Sequence, residues 1–366
     1  MTDRLRRLLD AFDPALPLER ARTIPSSWYF DPGLYDLERR TAFVGWQCVG
    51  RADQVAAPGA YLTADVAGEP VAVVRDADGT LRAFHNVCRH RAAPVLTAEC
   101  GTATKLRCRY HGWTYDLAGR LRGTPEFEGV ADFCRDDFGL VPLAVDAWGP
   151  TVWVHPGRPK QPLAEYLHAM PERMGPLGVE RLRWHSRQTY DLACNWKVYV
   201  DNYLDGGYHV NSVHPGLAGV LDYSQYRTEL YATTNVQVSP LKPAEVGAVE
   251  GAVRTGDNAY YWWVFPNFMF NLYEGVLDTN VVQPLGPERC RVVFDLYFAE
   301  GTPERFIGPS LEVTDRVQQE DVGICEEVQR GLASRSFDTG RFSVRREAAG
   351  YEFHRLLARR LRAAIG

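Results

Sequence analysis

Short apolar stretches bounded by turn-forming residues occupy the chain from about 43 to 155, and this pattern predicts strands. Residues 71–75 and 81–84 are separated by the five residues D-A-D-G-T, of which D-A-D-G is typical of a hairpin turn. Residues 113–116, followed by Gly119, predict a second hairpin. The region from 43 to 155 is therefore expected to be a small β domain.

Apolar residues at helical spacing predict a short helix over 3–12, a helix over 194–213 and a long helix over 310–333. Strands are expected near 226–238, 259–265, 268–273 and 290–299. Three prolines between 156 and 162 indicate a domain boundary. We predict an α+β chain with three parts: an N-terminal helical segment 1–42 that belongs to the catalytic domain, the β domain 43–155, and a catalytic domain 156–366.

Composition limits the classes of function. The chain has 366 residues, of which 45% are hydrophobic and 24% charged, so it can bury a core over about two domains. A net charge of −5 provides no basic surface for nucleic acid. No apolar stretch is long enough to span a membrane, and the N-terminus lacks the apolar region of a secretory signal. We therefore expect a cytoplasmic protein that binds neither nucleic acid nor membranes.

Two short motifs combine one thiol with one imidazole: Cys88-x-His90 and, 17 residues later, Cys108-x-x-His111. Two thiolates on one iron and two imidazoles on the other make the Rieske [2Fe–2S] cluster, which has a higher reduction potential than an all-cysteine cluster. A zinc site is the alternative, although structural zinc sites usually combine Cys with Cys and His with His. The other six cysteines lack such spacing and are expected to be free, buried thiols.

A second group of potential ligands lies in the predicted helix 194–213. Asp201, Asp205 and His209 are four residues apart and would share one helical face. His214 would point away from His209, but Pro215 disfavours the α conformation at His214 and allows its side chain to turn back. Two converging histidines suit a transition metal, although they could equally be structural histidines.

A third ligand is expected on the helix 310–333, because a carboxylate would complete the facial triad of non-heme Fe(II) oxygenases. Successive residues of a helix are rotated by about 100° around its axis, and this helix has a stripe of apolar residues along one side. Asp321 lies within about 25° of the centre of that stripe, whereas Glu320 lies well outside it. The alternative role for Asp321 is to pair with a buried arginine, such as Arg316 or Arg330. The stripe is formed by Val313, Val317, Ile324, Cys325, Val328 and Leu332.

Together, these motifs resemble the catalytic α subunits of the Rieske non-heme iron oxygenases. The two Cys/His pairs match the cluster motif of that family, and N-W-K at 195–197 with D-N-Y-L-D-G-G-Y-H at 201–209 matches its iron-site region. Q-E-D at 319–321 matches the region of its third ligand. The D-G-G-Y-H string and the P-N-F-M-F stretch at 266–270 look most like quaternary-ammonium hydroxylases of the choline monooxygenase kind.

The resemblance implies a Rieske β domain followed by a helix-grip (Bet v1/START-like) catalytic domain, in which an antiparallel sheet wraps a long helix. It implies that Cys88, His90, Cys108 and His111 hold the cluster, and that His209, His214 and Asp321 hold Fe(II). It also implies a head-to-tail homotrimer and electrons from NAD(P)H through a separate reductase. Asp205 would link the iron site to the cluster of the neighbouring subunit. Because an extra residue separates Asp205 from His209, Asp201 is the alternative for this role.

The resemblance favours O2-dependent hydroxylation of a quaternary ammonium compound such as choline. Residues 260–265 are the most aromatic stretch, and aromatic faces bind quaternary ammonium through cation–π attraction, although such rings also pack sheets. Two other functions are considered: an aromatic-ring hydroxylating dioxygenase, and a Rieske electron-transfer protein without oxygenase activity. The length of the chain beyond residue 156 argues against a pure electron carrier.

Overall fold

The computed structural model describes residues 2–243 and 249–365. The chain divides into two compact units, Phe43–Tyr166 and a second unit made of Met1–Ala42 with Leu167–Gly366. The domain limits derived from the sequence, at 42/43 and 155/156, stay predictions. Within the described ranges, no helix is both long and apolar enough to cross a membrane.

The unit Phe43–Tyr166 is built from antiparallel strands. One sheet has the order β1-β10-β9-β4-β3-β2-β5 and a smaller one has the order β6-β7-β8. The predicted hairpins are confirmed as β3–β4 and β7–β8. The strands are β1 (Gln47–Arg51), β2 (Ala60–Val66), β3 (Glu69–Arg75), β4 (Leu81–His85), β5 (Cys100–Thr102), β6 (Leu106–Arg107), β7 (Thr114–Tyr115), β8 (Leu121–Gly123), β9 (Pro142–Trp148) and β10 (Thr151–His155).

The other unit contains a seven-stranded antiparallel sheet with the order β11-β17-β16-β15-β14-β13-β12. Its strands are β11 (Leu182–Leu192), β12 (Arg227–Leu230), β13 (Thr234–Pro240), β14 (Asn258–Val264), β15 (Phe268–Tyr273), β16 (Val276–Gly286) and β17 (Arg289–Ala299). The helices of the chain are α1 (Thr2–Asp10), α2 (Pro32–Thr41), α3 (Leu163–Tyr166), α4 (Met170–Met174), α5 (Trp196–Tyr203), α6 (Val210–Val213), α7 (Pro215–Val220), α8 (Val249–Val253), α9 (Glu304–Leu332) and α10 (Ala348–Ile365).

The short helix α5 contacts the long helix α9 and the strands β16 and β17. This is the expected α+β arrangement of a sheet wrapped on a long helix, and the predicted fold class is confirmed. The structure differs from the sequence prediction in α9, which begins at Glu304 and continues through Pro309.

The predicted helix 194–213 is wrong, because α5 ends at Tyr203 and only a single turn, α6, follows His209. Gly206 and Gly207 both adopt positive φ, at 70° and 69°, which no right-handed helix allows. Asp201, Asp205 and His209 therefore do not share a helical face.

Two features of the sheet were also missed. Residues 226–238 form two strands, β12 and β13, rather than one. Strand β16 was not predicted because three consecutive polar residues, Asp278, Thr279 and Asn280, interrupt its apolar pattern. All three are buried, at 6%, 4% and 1% exposure.

A buried ion pair joins α2 to α5. The Lys197 ammonium donates to the Glu38 carboxylate at 2.7 Å, and both side chains are fully buried. The Trp196 indole N–H donates to the other oxygen of Glu38. Burial lowers the pKa of Lys197, and the Glu38 charge opposes this effect. Losing one partner would leave a buried charge unpaired, which is strongly destabilising. The ion pair therefore holds the start of α5 against the N-terminal segment.

Candidate metal centres and substrate cavity

The two Cys/His motifs lie in two loops with the same backbone hydrogen bonds. The Cys88 N–H donates to Ala93 O and the Ala92 N–H to Cys88 O; the Cys108 N–H likewise donates to Trp113 O and the Gly112 N–H to Cys108 O. Ala92 and Gly112 occupy the same position in their loops, and both have positive φ, at 61° and 75°. The first loop follows β4, and the second connects β6 to β7.

These loops bring the four predicted cluster ligands together. The Cys88 and Cys108 thiols are buried, at 3% and 2% exposure, and burial raises the pKa of Cys108. The His90 and His111 rings lie 4.6 Å apart between centroids. The Tyr115 hydroxyl lies 3.4 Å from the Cys88 sulfur and accepts the Arg89 N–H.

A ring nitrogen of His90 that lacks a hydrogen-bond partner indicates whether a cluster fits between these loops. His90 Nδ1 is buried and has no hydrogen-bond partner among the described residues. Burial lowers the pKa of His90, which favours the neutral imidazole that a metal requires. A buried polar atom without a partner is unfavourable unless something binds it. Two buried thiols with two imidazoles are the donor set of a Rieske cluster, so these residues fit it.

The turn at residues 204–209, which we call the ligand turn, brings Asp205 onto His209. The Asp205 carboxylate accepts the His209 backbone N–H at 2.9 Å, and the His209 Nδ1–H donates to the same oxygen at 2.5 Å. Gly206 allows this because an added Cβ would lie 2.1 Å from the Arg346 carbonyl oxygen. The carboxylate fixes the His209 tautomer and leaves Nε2 free to bind a metal.

His214 turns back toward His209, as the proline argument predicts. It caps α7, with φ −116° and ψ 75°, and Pro215 begins that helix. The His214 Nδ1–H donates to Glu320 at 2.6 Å, while His214 Nε2 lies 3.1 Å from Asp321 Oδ1. Burial lowers the pKa of His214, but the two carboxylates outweigh this and raise it.

Three donor atoms converge at one point: His209 Nε2, His214 Nε2 and Asp321 Oδ1 lie within 4.8 Å of one another. The two Nε2 atoms are 3.0 Å apart, and because each Nδ1–H is given to a carboxylate, both present lone pairs in the neutral rings. Lone pairs facing one another repel unless a cation lies between them. Two imidazoles and one carboxylate therefore fit a mononuclear iron with open positions.

Sequence reasoning missed two residues that contact these ligands. Glu320 was set aside because it lies off the apolar stripe of α9, yet it holds Nδ1 of His214. Asn202, on α5, donates to Asp321 Oδ1 at 2.7 Å. The partners of Asp321 in the described structure are Asn202 and the two histidines, and no arginine is among them.

Asp201, the alternative to Asp205, faces a different environment. Its carboxylate accepts the Tyr29 hydroxyl at 2.7 Å and the His354 Nε2–H at 2.8 Å. It contacts neither His209 nor His214 in the described structure. The assignment of Asp205 as the linking carboxylate stays a prediction.

A cavity that is partly open to solvent adjoins the three converging ligands. Within the predicted aromatic stretch 260–265, only Tyr261 lines it, whereas Trp262 and Trp263 are packed in the core at 0% and 1% exposure. Tyr203, Tyr226 and Tyr273 also line it. Several aromatic rings and a few polar side chains around one cavity are typical of a site for a small organic substrate.

Comparison with family models identifies two domains. The model described as the Rieske [2Fe-2S] domain matches residues 45–134. The model described as the ring hydroxylating alpha subunit (catalytic domain) matches residues 179–363. The second match argues against a pure electron carrier.

Individual relatives cover nearly the whole chain. The chloroplastic choline monooxygenase of Arabidopsis thaliana is 41% identical over 373 residues, which are 98% of this chain and 87% of that protein. The carnitine monooxygenase oxygenase subunit of Acinetobacter pittii is 28% identical over 91% of this chain and 92% of that protein. A crystal structure of the quaternary ammonium Rieske monooxygenase CntA with an inhibitor superposes with a TM-score of 0.84 at 27% identity, covering 94% of this chain and 98% of that one.

Proposed function

The chain belongs to the Rieske non-heme iron oxygenases as a catalytic α subunit, and from this premise we propose that it hydroxylates a quaternary ammonium compound such as choline. It is an oxidoreductase that carries a [2Fe–2S] cluster and a mononuclear iron. When bound, the cluster supplies single electrons and the iron activates O2. We propose that the electrons come from NAD(P)H through a separate reductase.

The tyrosine-lined cavity beside the iron ligands carries this proposal. Tyr203, Tyr226, Tyr261 and Tyr273 border it. Hydrogen bonds fix their orientation: Tyr261 and Tyr273 share one between their hydroxyls at 2.6 Å, and Tyr203 donates to Asn271 at 2.6 Å. Aromatic rings held this rigidly attract a quaternary ammonium without offering it a hydrogen bond, which suits a cation that has no N–H.

We propose that His209, His214 and Asp321 hold the iron on one side and leave the side toward the cavity open. Asp205 and Glu320 each keep a proton on the outer nitrogen of one histidine, so that the inner nitrogen stays available. Asn202 orients Asp321. These groups hold the ligands in place before substrate enters, which is the function of carboxylates around metal-bound histidines.

Asp205 is proposed to have a second role in a head-to-tail homotrimer. Among the described residues, its Oδ1 accepts only the Tyr208 N–H, so acceptor capacity remains. In the proposed ring, a cluster histidine of the neighbouring subunit, either His90 or His111, donates to Asp205. His111 is exposed in the described structure, which suits a contact with another subunit.

Asp205→Asn tests that role. Both metal sites should fill and the cluster should accept an electron, but single-turnover transfer to the iron should slow by orders of magnitude. Asp201→Asn is the matched control, since Asp201 is engaged by Tyr29 and His354. Full activity in Asp205→Asn, with loss in Asp201→Asn, would transfer the role to Asp201. Light scattering of the purified protein tests the trimer.

The function itself is tested by substrate-dependent O2 uptake with a surrogate reductase, with products identified by mass spectrometry. A trimethylammonium compound should give a hydroxylated or dealkylated product, and its neutral tert-butyl isostere should give little. Turnover confined to aromatic acids would contradict the proposal and favour the aromatic-ring dioxygenase. We also propose a cytoplasmic location, consistent with eight free cysteines; cell fractionation tests it.

A further inference from the structure

A half-buried arginine that forms no ion pair with a described residue borders the substrate cavity. Arg254 follows α8 and lines the cavity at a position outside the iron ligands. Its Nε is buried and has no hydrogen-bond partner among the described residues. Its guanidinium lies 4.7 Å from the centroid of the Tyr273 ring and hydrogen-bonds the Tyr273 side chain. The Asp278 charge stabilises its protonated form, but no described carboxylate forms an ion pair with it. We propose that Arg254 binds a carboxylate of the substrate, so that the substrate is a trimethylammonium carboxylate of the betaine type rather than choline.

The charge of Arg254 requires an explanation, because arginine stays protonated in proteins. A desolvated ionised group is unfavourable unless it is paired or its donors are all hydrogen-bonded. The hydrogen bond to Tyr273 leaves the buried Arg254 Nε without a partner among the described residues. A lysine in such a place could lose its proton, but a guanidinium cannot. The planar donor edge of a guanidinium matches a carboxylate. An unpaired guanidinium at a substrate cavity therefore points to an anionic ligand group.

The buried carboxylate that lines the same cavity does not fulfil this role. Asp278 accepts hydrogen bonds from the side-chain amides of Asn271 and Asn280, at 2.7 and 2.9 Å. Burial raises the pKa of Asp278, while its hydrogen bonds to the two amides and the Arg254 charge oppose this effect. Arg254 and Asp278 form no ion pair in the described structure. Asp278 is satisfied by its own strand and by β15, and Arg254 remains available.

The positions along α9 separate Arg254 from the iron ligands. Arg254 borders a small hollow together with Ser310, Val313 and Thr314 of α9. Asp321 follows Thr314 by seven residues, which corresponds to about 10 Å along the helix axis. Tyr273 borders both the hollow and the main cavity. The anionic subsite and the metal subsite therefore lie at different ends of the cavity.

This separation orients a zwitterionic substrate. With its carboxylate on Arg254, the chain of the substrate runs past the tyrosine rings, and the trimethylammonium group extends toward the iron ligands. The C–H bonds next to nitrogen are then the ones presented for hydroxylation. Choline has no anionic group, so its binding would leave Arg254 unpaired and add a second positive charge to the cavity. This inference rests on the proposed function.

The test is equilibrium binding to the anaerobic holoenzyme by calorimetry. The probes are γ-butyrobetaine, its methyl ester, which keeps the ammonium and loses the negative charge, and choline. The acid should bind at least about 10-fold more tightly than the ester, which is the value of a charge-assisted hydrogen bond. Arg254→Gln should weaken the binding of the acid about 10- to 100-fold and the binding of the ester less than about threefold. Arg254→Lys should restore part of the loss.

The control variant is Arg360→Gln, which removes an exposed guanidinium that lies over the Phe265 ring, 5.9 Å from its centroid. This variant should change neither the affinity for γ-butyrobetaine nor the affinity for its methyl ester. Equal binding of acid and ester, or an equal loss of both in Arg254→Gln, would overturn the inference while leaving quaternary ammonium hydroxylation intact. If no quaternary ammonium compound bound or reacted, the proposed function would fail. If Arg254→Gln did not fold, the acid and ester comparison on the unaltered enzyme decides.

Discussion

The two metal-binding regions of this chain are built in different ways. The four proposed cluster ligands come from two short loops that share one hydrogen-bonding pattern; one loop follows β4 and the other connects β6 to β7. The three proposed iron ligands come from an irregular turn, a helix cap and a long helix more than 100 residues away. The first region is determined by local sequence, whereas the second depends on contacts made by the folded domain.

The difference also extends to the surroundings of the ligands. In the cluster loops, aromatic rings surround the histidines: His90 stacks on Trp113 with ring centroids 4.9 Å apart. In the iron site, carboxylates and an amide surround the ligands, namely Glu320, Asp205 and Asn202. Apolar surroundings position the cluster ligands by packing, and polar surroundings position the iron ligands by hydrogen bonds with defined directions.

The largest expected effect is the complete and separate loss of each metal. Asp321→Ala should remove the mononuclear iron and all activity while keeping the Rieske spectrum, so that iron falls from about three to about two per chain. His111→Ala should remove the cluster signal and leave the mononuclear site able to bind iron. Iron and sulfide analysis with electron paramagnetic resonance measures both. Loss of the Rieske signal in Asp321→Ala would contradict the independence of the two regions.

The ligand turn should be the most sensitive backbone segment. An alanine at Gly206 would require a positive φ and would bring its Cβ to 2.1 Å from the Arg346 carbonyl oxygen. The conformation alone costs about 1–2 kcal/mol, and the overlap adds a forced shift of Asp205 and His209. We expect Gly206→Ala to lose iron and activity while the cluster spectrum persists. Gly219→Ala is the control, since nothing lies within 4 Å of an added Cβ there.

Glu320→Ala should have an intermediate effect. It leaves the three ligands in place but removes the acceptor of the His214 Nδ1–H, and the loss of such a partner weakens metal affinity by about 10- to 100-fold. Iron titration against a competing chelator measures the change. Glu327→Ala, on an exposed part of the same helix, should leave affinity unaltered. A loss of iron as complete as in Asp321→Ala would mean that Glu320 is itself a ligand.

The sequence predicted which four side chains the cluster loops bring together because the spacing of these residues is local, and their role as cluster ligands stays a prediction. For the iron site, the phase of α9 identified Asp321 but dismissed Glu320, about 100° around the helix. Both residues reach His214 because its ring presents one nitrogen to each. The ligand turn was predicted as helix because the constraint on Gly206 comes from Arg346, which is distant in sequence. Strand β16 was missed because its polar residues Asp278 and Asn280 line the cavity rather than facing solvent.

The smallest expected effect concerns the cluster loops themselves. Gly112 has φ 75°, and an added Cβ would lie 3.3 Å from the Arg107 side chain and 3.3 Å from Pro125, so little has to move. The first loop already places Ala92 at the equivalent position, with φ 61°. Gly112→Ala should therefore keep the Rieske spectrum and lower the free energy of unfolding by about 1–2 kcal/mol, the cost of the conformation alone. Denaturant unfolding measures the change in stability and electron paramagnetic resonance measures the cluster. Ala92→Gly should raise the free energy of unfolding, because glycine adopts a positive φ without that cost. If Gly112→Ala lost its cluster while Gly206→Ala kept its iron, the contrast between locally and globally determined sites would be reversed.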